Sequence, residues 1–257
     1  MKPLKVQFHV HTKDDPLDKP KHTAKEMLDF AASAQYDVVS ITHHDGYFFN
    51  EEIFAYAEKL GILLVPGIEK TIERRHVLII NATPDVEKIV TFYDLSKYKK
   101  SHPDCLIIAP HPYFPRGFCL QEKLIKNINI FDAIEYSWFF TENINQFNKK
   151  AEKIAKLHRK PIIATSDNHI LKYFNQGYTV VHAEKTWPAI RNAILENHIE
   201  IYTTPLTLEQ FFKITLEMII KFDIPWQFRR IVPWVGQFRS LTSSTKKCYA
   251  KDVTIKK

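Results

Sequence analysis

Two histidines one residue apart, His9 and His11, end a run in which Leu4, Val6, Phe8 and Val10 alternate with Lys5 and Gln7. In an extended chain, side chains two apart share a face, so both imidazoles point the same way and can bite one metal ion. Asp14, Asp15 and Asp18 follow within a short loop's reach and offer oxygen ligands for a second ion. The device recurs, for later apolar runs lead to His44, to Glu69, to His111 and to Asp167 with His169, while another opens on His76. Neutral imidazoles mixed with hard carboxylates suit zinc, manganese or iron(II) better than calcium or magnesium alone, and several divalent ions could be held together. Two cations about 4 Å apart polarise a phosphoryl oxygen, steady the leaving oxygen and lower a bound water's pKa towards about 7, so hydroxide is available at neutral pH. Such a centre hydrolyses phosphate esters without a serine or cysteine nucleophile.

These residues need a scaffold that gathers distant strand ends. The pattern predicts strands over 4–10, 37–42, 62–65, 76–80, 105–109, 131–135, 161–165 and 178–181, separated by helical stretches. Thr23 with Glu26 has the capping-box spacing for one helix, Asn50 caps another that Gly61 stops, and longer helical stretches are expected within 85–100 and over 142–158. Strands alternating with helices are the signature of a parallel sheet, closed or wound by crossover helices. In a parallel barrel the C-terminal strand ends share one rim, and ligands bind there.

Composition bounds the answer. The 257 residues can bury a sizeable core in one α/β barrel. Cys105, Cys119 and Cys248 share no CxxC spacing, which argues against a disulfide framework or a zinc ribbon and points to a reducing cytoplasm. No signal-peptide pattern and no apolar run of spanning length is expected. Neither a Walker loop nor a dinucleotide fingerprint, HExxH or GxSxG occurs. The net charge of +7 is local, because from Lys221 onward nine basic residues face only Asp223 and Asp252. Residues 1–204 are therefore expected to form the barrel and 205–257 a C-terminal helix, capped by Thr207, with a basic aromatic tail. In that tail Trp226, Phe228, Trp234 and Phe238 interleave with Arg229, Arg230 and Arg239. Such a mixture can stack on single-stranded nucleic acid, lie on an anionic membrane surface or hold a partner subunit.

The motifs His9-Val10-His11-Thr12, Ile41-Thr42-His43-His44-Asp45, Pro66-Gly67-Ile68-Glu69, His76-Val77-Leu78, Ala109-Pro110-His111-Pro112 and Ser166-Asp167-Asn168-His169 stand in the order of the PHP family, named for polymerase and histidinol phosphatase, and the chain resembles it over roughly residues 4–200. The resemblance implies a distorted (β/α)7 barrel and a metal-dependent phosphoesterase with up to three divalent ions (Zn2+, Mn2+ or Fe2+) acting on a small phosphorylated metabolite or nucleotide. By motif, His9, His11, Glu69 and Asp167 would hold one ion, Glu69 would bridge to a second held by His76 and His111, and His44, His169 and Asp15 would hold the third, with Asp14 and Asp18 as alternatives to Asp15. His43 stands where the family has aspartate, and could orient its neighbours, ligate or shuttle a proton. It joins Glu69 and Asp167 as a catalytic candidate, and Arg116 is the candidate for a second phosphate, met in a bidentate way. Two alternatives are a nuclease working on RNA or DNA ends and a metal-stabilised scaffold whose tail binds.

Overall fold

The computed structural model describes residues 2–218 and 253–255. Its strands are β1 (Leu4–Gln7), β2 (Val38–Ile41), β3 (Leu63–Ile72), β4 (Arg75–Ile80), β5 (Leu106–Ala109), β6 (Ala133–Ser137), β7 (Ile162–Thr165), β8 (Gly177–Val181), β9 (Ile199–Thr203) and β10 (Val253–Ile255). The helices are α1 (Ala24–Ser33), α2 (Glu51–Lys59), α3 (Phe92–Ser101), α4 (Glu122–Lys126), α5 (Gln146–Leu157), α6 (Trp187–Leu195) and α7 (Leu208–Met218). The α/β barrel class expected from the sequence holds. The strand inventory differs from seven, since one sheet runs in the order β10-β9-β8-β1-β2-β3-β4-β5-β6-β7.

The sheet is also not parallel throughout. Neighbours among β1, β2 and β3, and among β5, β6 and β7, are parallel, but β4 is antiparallel to both its neighbours. Glu73 and Arg74 turn the β3–β4 hairpin in the left-handed region, at φ +46° and +67°. This reversal matters for chemistry. It puts the first residues of β4, and so His76, at the rim where the parallel strands end.

Local signals place the helices where the sequence puts them. Thr23 and Glu26 form both halves of a capping box, and the Asn50 side chain accepts the Ile53 N–H. Thr207 Oγ1 accepts the Gln210 N–H while Gln210 Oε1 accepts the Thr207 N–H, which starts α7 as expected. Two boundaries move. The stretch 85–100 splits into a 3-10 turn, Pro84–Lys88, and α3, because Thr91 and Asp94 form a fresh capping box. The 142–158 helix starts only at Gln146, since Thr141 accepts the Ile144 N–H through Oγ1 and makes a turn of the preceding residues. Phe211 and Ile214 of α7 join a cluster with Trp138, Tyr173 and Leu206. The expected basic aromatic tail, Trp226 to Arg239 included, lies outside the described residues.

The barrel closes where β7 meets β1 and β8, largely through side chains. Gln7 gives its Nε2–H to Gly177 O at 2.8 Å and accepts the Ser166 N–H at 3.0 Å. Thr179 Oγ1 spans Ala164, accepting its N–H and donating to its carbonyl, each at 2.9 Å. Above them Val10 and Asn168 form a parallel bridge, with His11 N–H on Asn168 O and Asn168 N–H on His9 O. The seam is tight at Gly177, where a Cβ would meet Thr165 O at 2.5 Å. Since that neighbour is backbone and cannot rotate away, Gly177→Ala is expected to cost about 1–3 kcal/mol. Denaturant unfolding would register this as a lowered midpoint at unchanged slope.

Candidate metal centre

His9 and His11 lie just past the end of β1, on the extension that the Val10–Asn168 bridge holds against β7. His44 follows β2, Glu69 sits within β3, His76 opens β4, His111 follows β5, and Asp167 and His169 follow β7. The ends meet at one rim, and Glu69, 1% exposed, stands at the middle. Its Oε2 lies 3.3 Å from His9 Nε2, 3.3 Å from His11 Nε2 and 3.1 Å from His44 Nε2. Its Oε1 faces His76 Nδ1 at 2.9 Å and His111 Nε2 at 3.2 Å. Asp167 Oδ1 is 3.3 Å from the same nitrogens of His9 and His11. The His11 ring lies close to those of both His44 and His169, with centroids 4.4 and 4.3 Å away.

The ring nitrogens facing away from the cluster have partners of their own. His9 Nδ1 faces Glu135 Oε2 at 3.3 Å, His11 and His44 both direct Nδ1 to Asp15 Oδ2 at 2.8 and 3.0 Å, and His111 Nδ1 faces Cys119 Sγ at 3.4 Å. His169 Nδ1 lies 3.0 Å from the Asp167 carbonyl. Donation from Nδ1 to such an acceptor fixes the tautomer and leaves Nε2 as a lone pair aimed inward.

Those inward nitrogens test the fit of a cation. His9 Nε2, His11 Nε2 and His169 Nε2 are buried without any hydrogen-bond partner, although carboxylate oxygens lie near them. A nitrogen and an oxygen 3.3 Å apart make a poor hydrogen bond, but about 3.3 Å is the ligand-to-ligand edge of a tetrahedral zinc with bonds of about 2.0–2.1 Å. Among the described residues, four groups of three ligand atoms converge within 4.8 Å: His9, His11 and Glu69; His44, Glu69 and His76; His9, His111 and Asp167; His11, His44 and His169. The donor set fits divalent ions.

The electrostatics agree. Burial opposes a charge on His9, but Asp167, Glu69 and Glu135 outweigh it and raise its pKa to about 9. Burial likewise works against ionised Glu69 and Asp167, yet the surrounding imidazoles hold both well below the usual carboxylate range. The acids remain ionised and demand positive charge beside them. The backbone is also held in unusual conformations, since His111 and Asp167 have φ of +29° and +42°. Non-glycine residues there cost of order 1–3 kcal/mol and persist where surroundings over-determine them.

Asp14, Asp15, Asp18, His43 and Arg116 stand outside the converging groups. Asp15 lies behind His11 and His44, fully buried, and its oxygens already receive two ring nitrogens and the N–H groups of His44, Leu17 and Asp18. Asp18, not Asp15, approaches His169 Nε2, at 2.7 Å, while Asp14 is an exposed loop residue. His43 turns away, bonding Thr12 Oγ1 at 2.8 Å and packing edge-on against Phe48. Burial lowers its pKa to about 4, against the pull of Asp15, so it is neutral. Arg116 lies in the 112–121 loop, partly exposed, two residues before a phenylalanine that stacks on His76.

Sequence reasoning gave Glu135 no role. It is fully buried, accepts the His111 N–H at 3.0 Å and the Thr165 hydroxyl at 2.7 Å, and so ties β6 to the ends of β5 and β7 as well as to His9. The available signal was a carboxylate among the uncharged residues Ala133, Ile134 and Tyr136. In Glu135→Gln an amide N–H would confront these donors, so metal retention should fall about 10–100-fold in competition with a chelator. Unaltered retention would refute the orienting role.

Residues 145–199 match the family model described as PHP-associated. No curated protein matches the sequence significantly. Among solved structures, PsfC from Pseudomonas syringae PB-5123 aligns with TM-score 0.55 at 15% identity, over 85% of this chain and 98% of that one. The lesion-specific endonuclease PfuEndoQ from Pyrococcus furiosus aligns with TM-score 0.56 at 15% identity, over 84% of this chain and 66% of its own. A candidate metal-dependent phosphoesterase from Bifidobacterium adolescentis gives 0.51 at 14%, over 66% and 90%. At these identities the likeness is one of fold.

Proposed function

We propose that this chain, a member of the PHP family, is a divalent-metal-dependent phosphoric ester hydrolase acting on a phosphomonoester of a small metabolite or nucleotide. The observation that carries the reading is the division of the Glu69 carboxylate, one oxygen toward His9, His11 and His44 and the other toward His76 and His111. A carboxylate so shared would bridge two ions. His9, His11, Glu69 and Asp167 would hold one ion, Glu69, His76 and His111 a second, and His44, His169 and Asp18 a third, with Asp18 replacing Asp15 in the ligand set. Zinc, manganese and iron(II) all suit such donors. Bound there, the ions supply Lewis acidity and acidify water toward a pKa of about 7.

The chain's own groups supply geometry. Asp15 and Glu135 hold the His11, His44 and His9 rings in one tautomer, so their Nε2 atoms stay fixed while the substrate's charge is rearranged. Asp167, 23% exposed where Glu69 is closed to solvent, lies on the open side and is the group placed to orient an attacking water. Arg116, in the loop next to His76 and His111, is suited to a second anionic group of the substrate. His43 is assigned no catalytic step, because its ring is neutral and engaged by Thr12.

One observation favours the nuclease reading as a second choice. A groove of about 720 Å³ formed by the loop that carries Asp18 is lined by Lys13, Lys19 and Lys21 against the two carboxylates of Asp14 and Asp15, an excess of cations that favours an anionic chain. If a nucleic acid is the substrate, cleavage of RNA or DNA ends should weaken steeply with salt, whereas small-ester turnover should not.

The test of the main reading is phosphate release from a panel of phosphomonoesters, before and after chelation and after adding back manganese or zinc. Chelation should abolish turnover and metal should restore it. Glu69→Gln and Asp167→Asn should each reduce turnover by about 10²-fold or more while lowering bound metal. Full activity in either variant would sink the assignment.

A further inference from the structure

Phe118 is 38% exposed, yet its ring lies flat on His76, centroids 4.6 Å apart and planes 17° apart, and meets His111 edge-on at 5.5 Å. It is not a loose loop tip. The His76 N–H donates to the Phe118 carbonyl at 2.8 Å, and the Arg75 guanidinium donates to the carbonyls on either side of it, of Gly117 and of Cys119. The backbone is thus pinned on both sides, and an aromatic surface stands open to solvent beside two candidate ligands.

Two other exposed apolar side chains adjoin the cluster in sequence. Leu17 precedes Asp18, and Ile170 follows His169. A single exposed apolar residue means little, but each of three loops that carry candidate ligands exposes one. Polyol leaving groups want hydroxyl and carboxylate partners. These side chains offer none, and a pinned phenyl ring offers a stacking plane to a flat leaving group.

We infer that Phe118 is a specificity-determining residue that stacks on the leaving group, so that the substrates are phosphate esters whose leaving group carries a planar aromatic ring, as a nucleoside or a phenol does. The inference rests on the phosphate ester reading and narrows its substrate class. The cluster engages the phosphoryl group in all esters alike, and Phe118 distinguishes what is attached to it. A stacking contact of this kind is worth roughly tenfold or more in binding when removed by alanine substitution.

The experiment measures kcat and KM of the metal-loaded full chain for a nucleoside monophosphate, phenyl phosphate and glycerol phosphate, in the parent, Phe118→Ala and Phe118→Trp, with metal content recorded for each. Phe118→Ala should cut the preference for the nucleoside ester over glycerol phosphate about tenfold, mainly through KM, at unchanged metal content, and Phe118→Trp should keep it. Loss of preference for the nucleoside ester alone identifies a nucleotide, and loss for both aromatic esters a general aromatic pocket. Equal losses on all three esters, or a fall in bound metal, would overturn the inference and leave Phe118 as a wall of the centre. Should the parent hydrolyse none of them, the phosphate ester reading fails separately. Equilibrium binding of the nucleoside monophosphate then decides the matter, since affinity absent or indifferent to Phe118→Ala contradicts stacking.

Discussion

An ionised carboxylate sealed from water must be met by positive charge, and Glu69 imposes that condition on the whole barrel. Leaving such a group uncompensated in the interior costs several kcal/mol, and an isolated acid would take up a proton instead. Here the imidazoles ringing Glu69 and Asp167 keep both acids ionised, and the same acids raise His9 against its burial. Protons on the rings could provide the compensation at His76 and His111, which hydrogen-bond Glu69 Oε1, but the Nε2 atoms of His9, His11 and His169 lack hydrogen-bond partners. Divalent cations satisfy both the charge and the spacing. The cluster's stability and its metal affinity are thus two views of one electrostatic requirement.

Holding that arrangement falls to strand ends, and the barrel's construction explains how. The side-chain seam of Gln7 and Thr179 fixes β7 against β1 and β8, and the Val10–Asn168 bridge continues it upward between the two histidines of the first motif and the acid of the last. Because His9 and His11 flank one end of that bridge and Asp167 and His169 the other, closing the barrel and assembling the centre are the same event. The left-handed backbone of His111 and Asp167 fits this picture, as two residues bent into place by ends that close around them.

Much of this was legible in the sequence, for identifiable reasons. The period-two runs, the Thr23–Glu26 box and the polar residues after apolar strands are local signals, and the fold class and the residues gathered around Glu69 follow from them. What escaped was relational. A strand opening on His76 looks anomalous in a parallel barrel until the β3–β4 hairpin turns it over, and nothing in the run itself states its direction. Asp15 and Asp18 are equivalent by type, and only the folded loop reveals that Asp15 is occupied by His11 and His44 while Asp18 reaches His169. His43 beside His44 looks like a doubled ligand, but adjacent residues in an extended segment face opposite ways, and its ring goes to Thr12 and Phe48.

Exposure is graded across the centre, and the gradient has chemical consequences. The side chains of His9, His11 and Glu69 are closed to solvent, Asp18 is 11% exposed, and Asp167 and His169 reach 23% and 28%. An ion among His9, His11 and Glu69 would lie in a medium of low effective dielectric, exchanging only when packed side chains part. One between Asp18 and His169 would have water at hand and a loop as its ligand. The inner groups therefore suit structural retention and steady polarisation, while the outer ones suit the approach of an anionic substrate and the departure of its product. That asymmetry runs from β3 toward the loop after β7, so that one rim combines rigid charge at its centre with access at its edge.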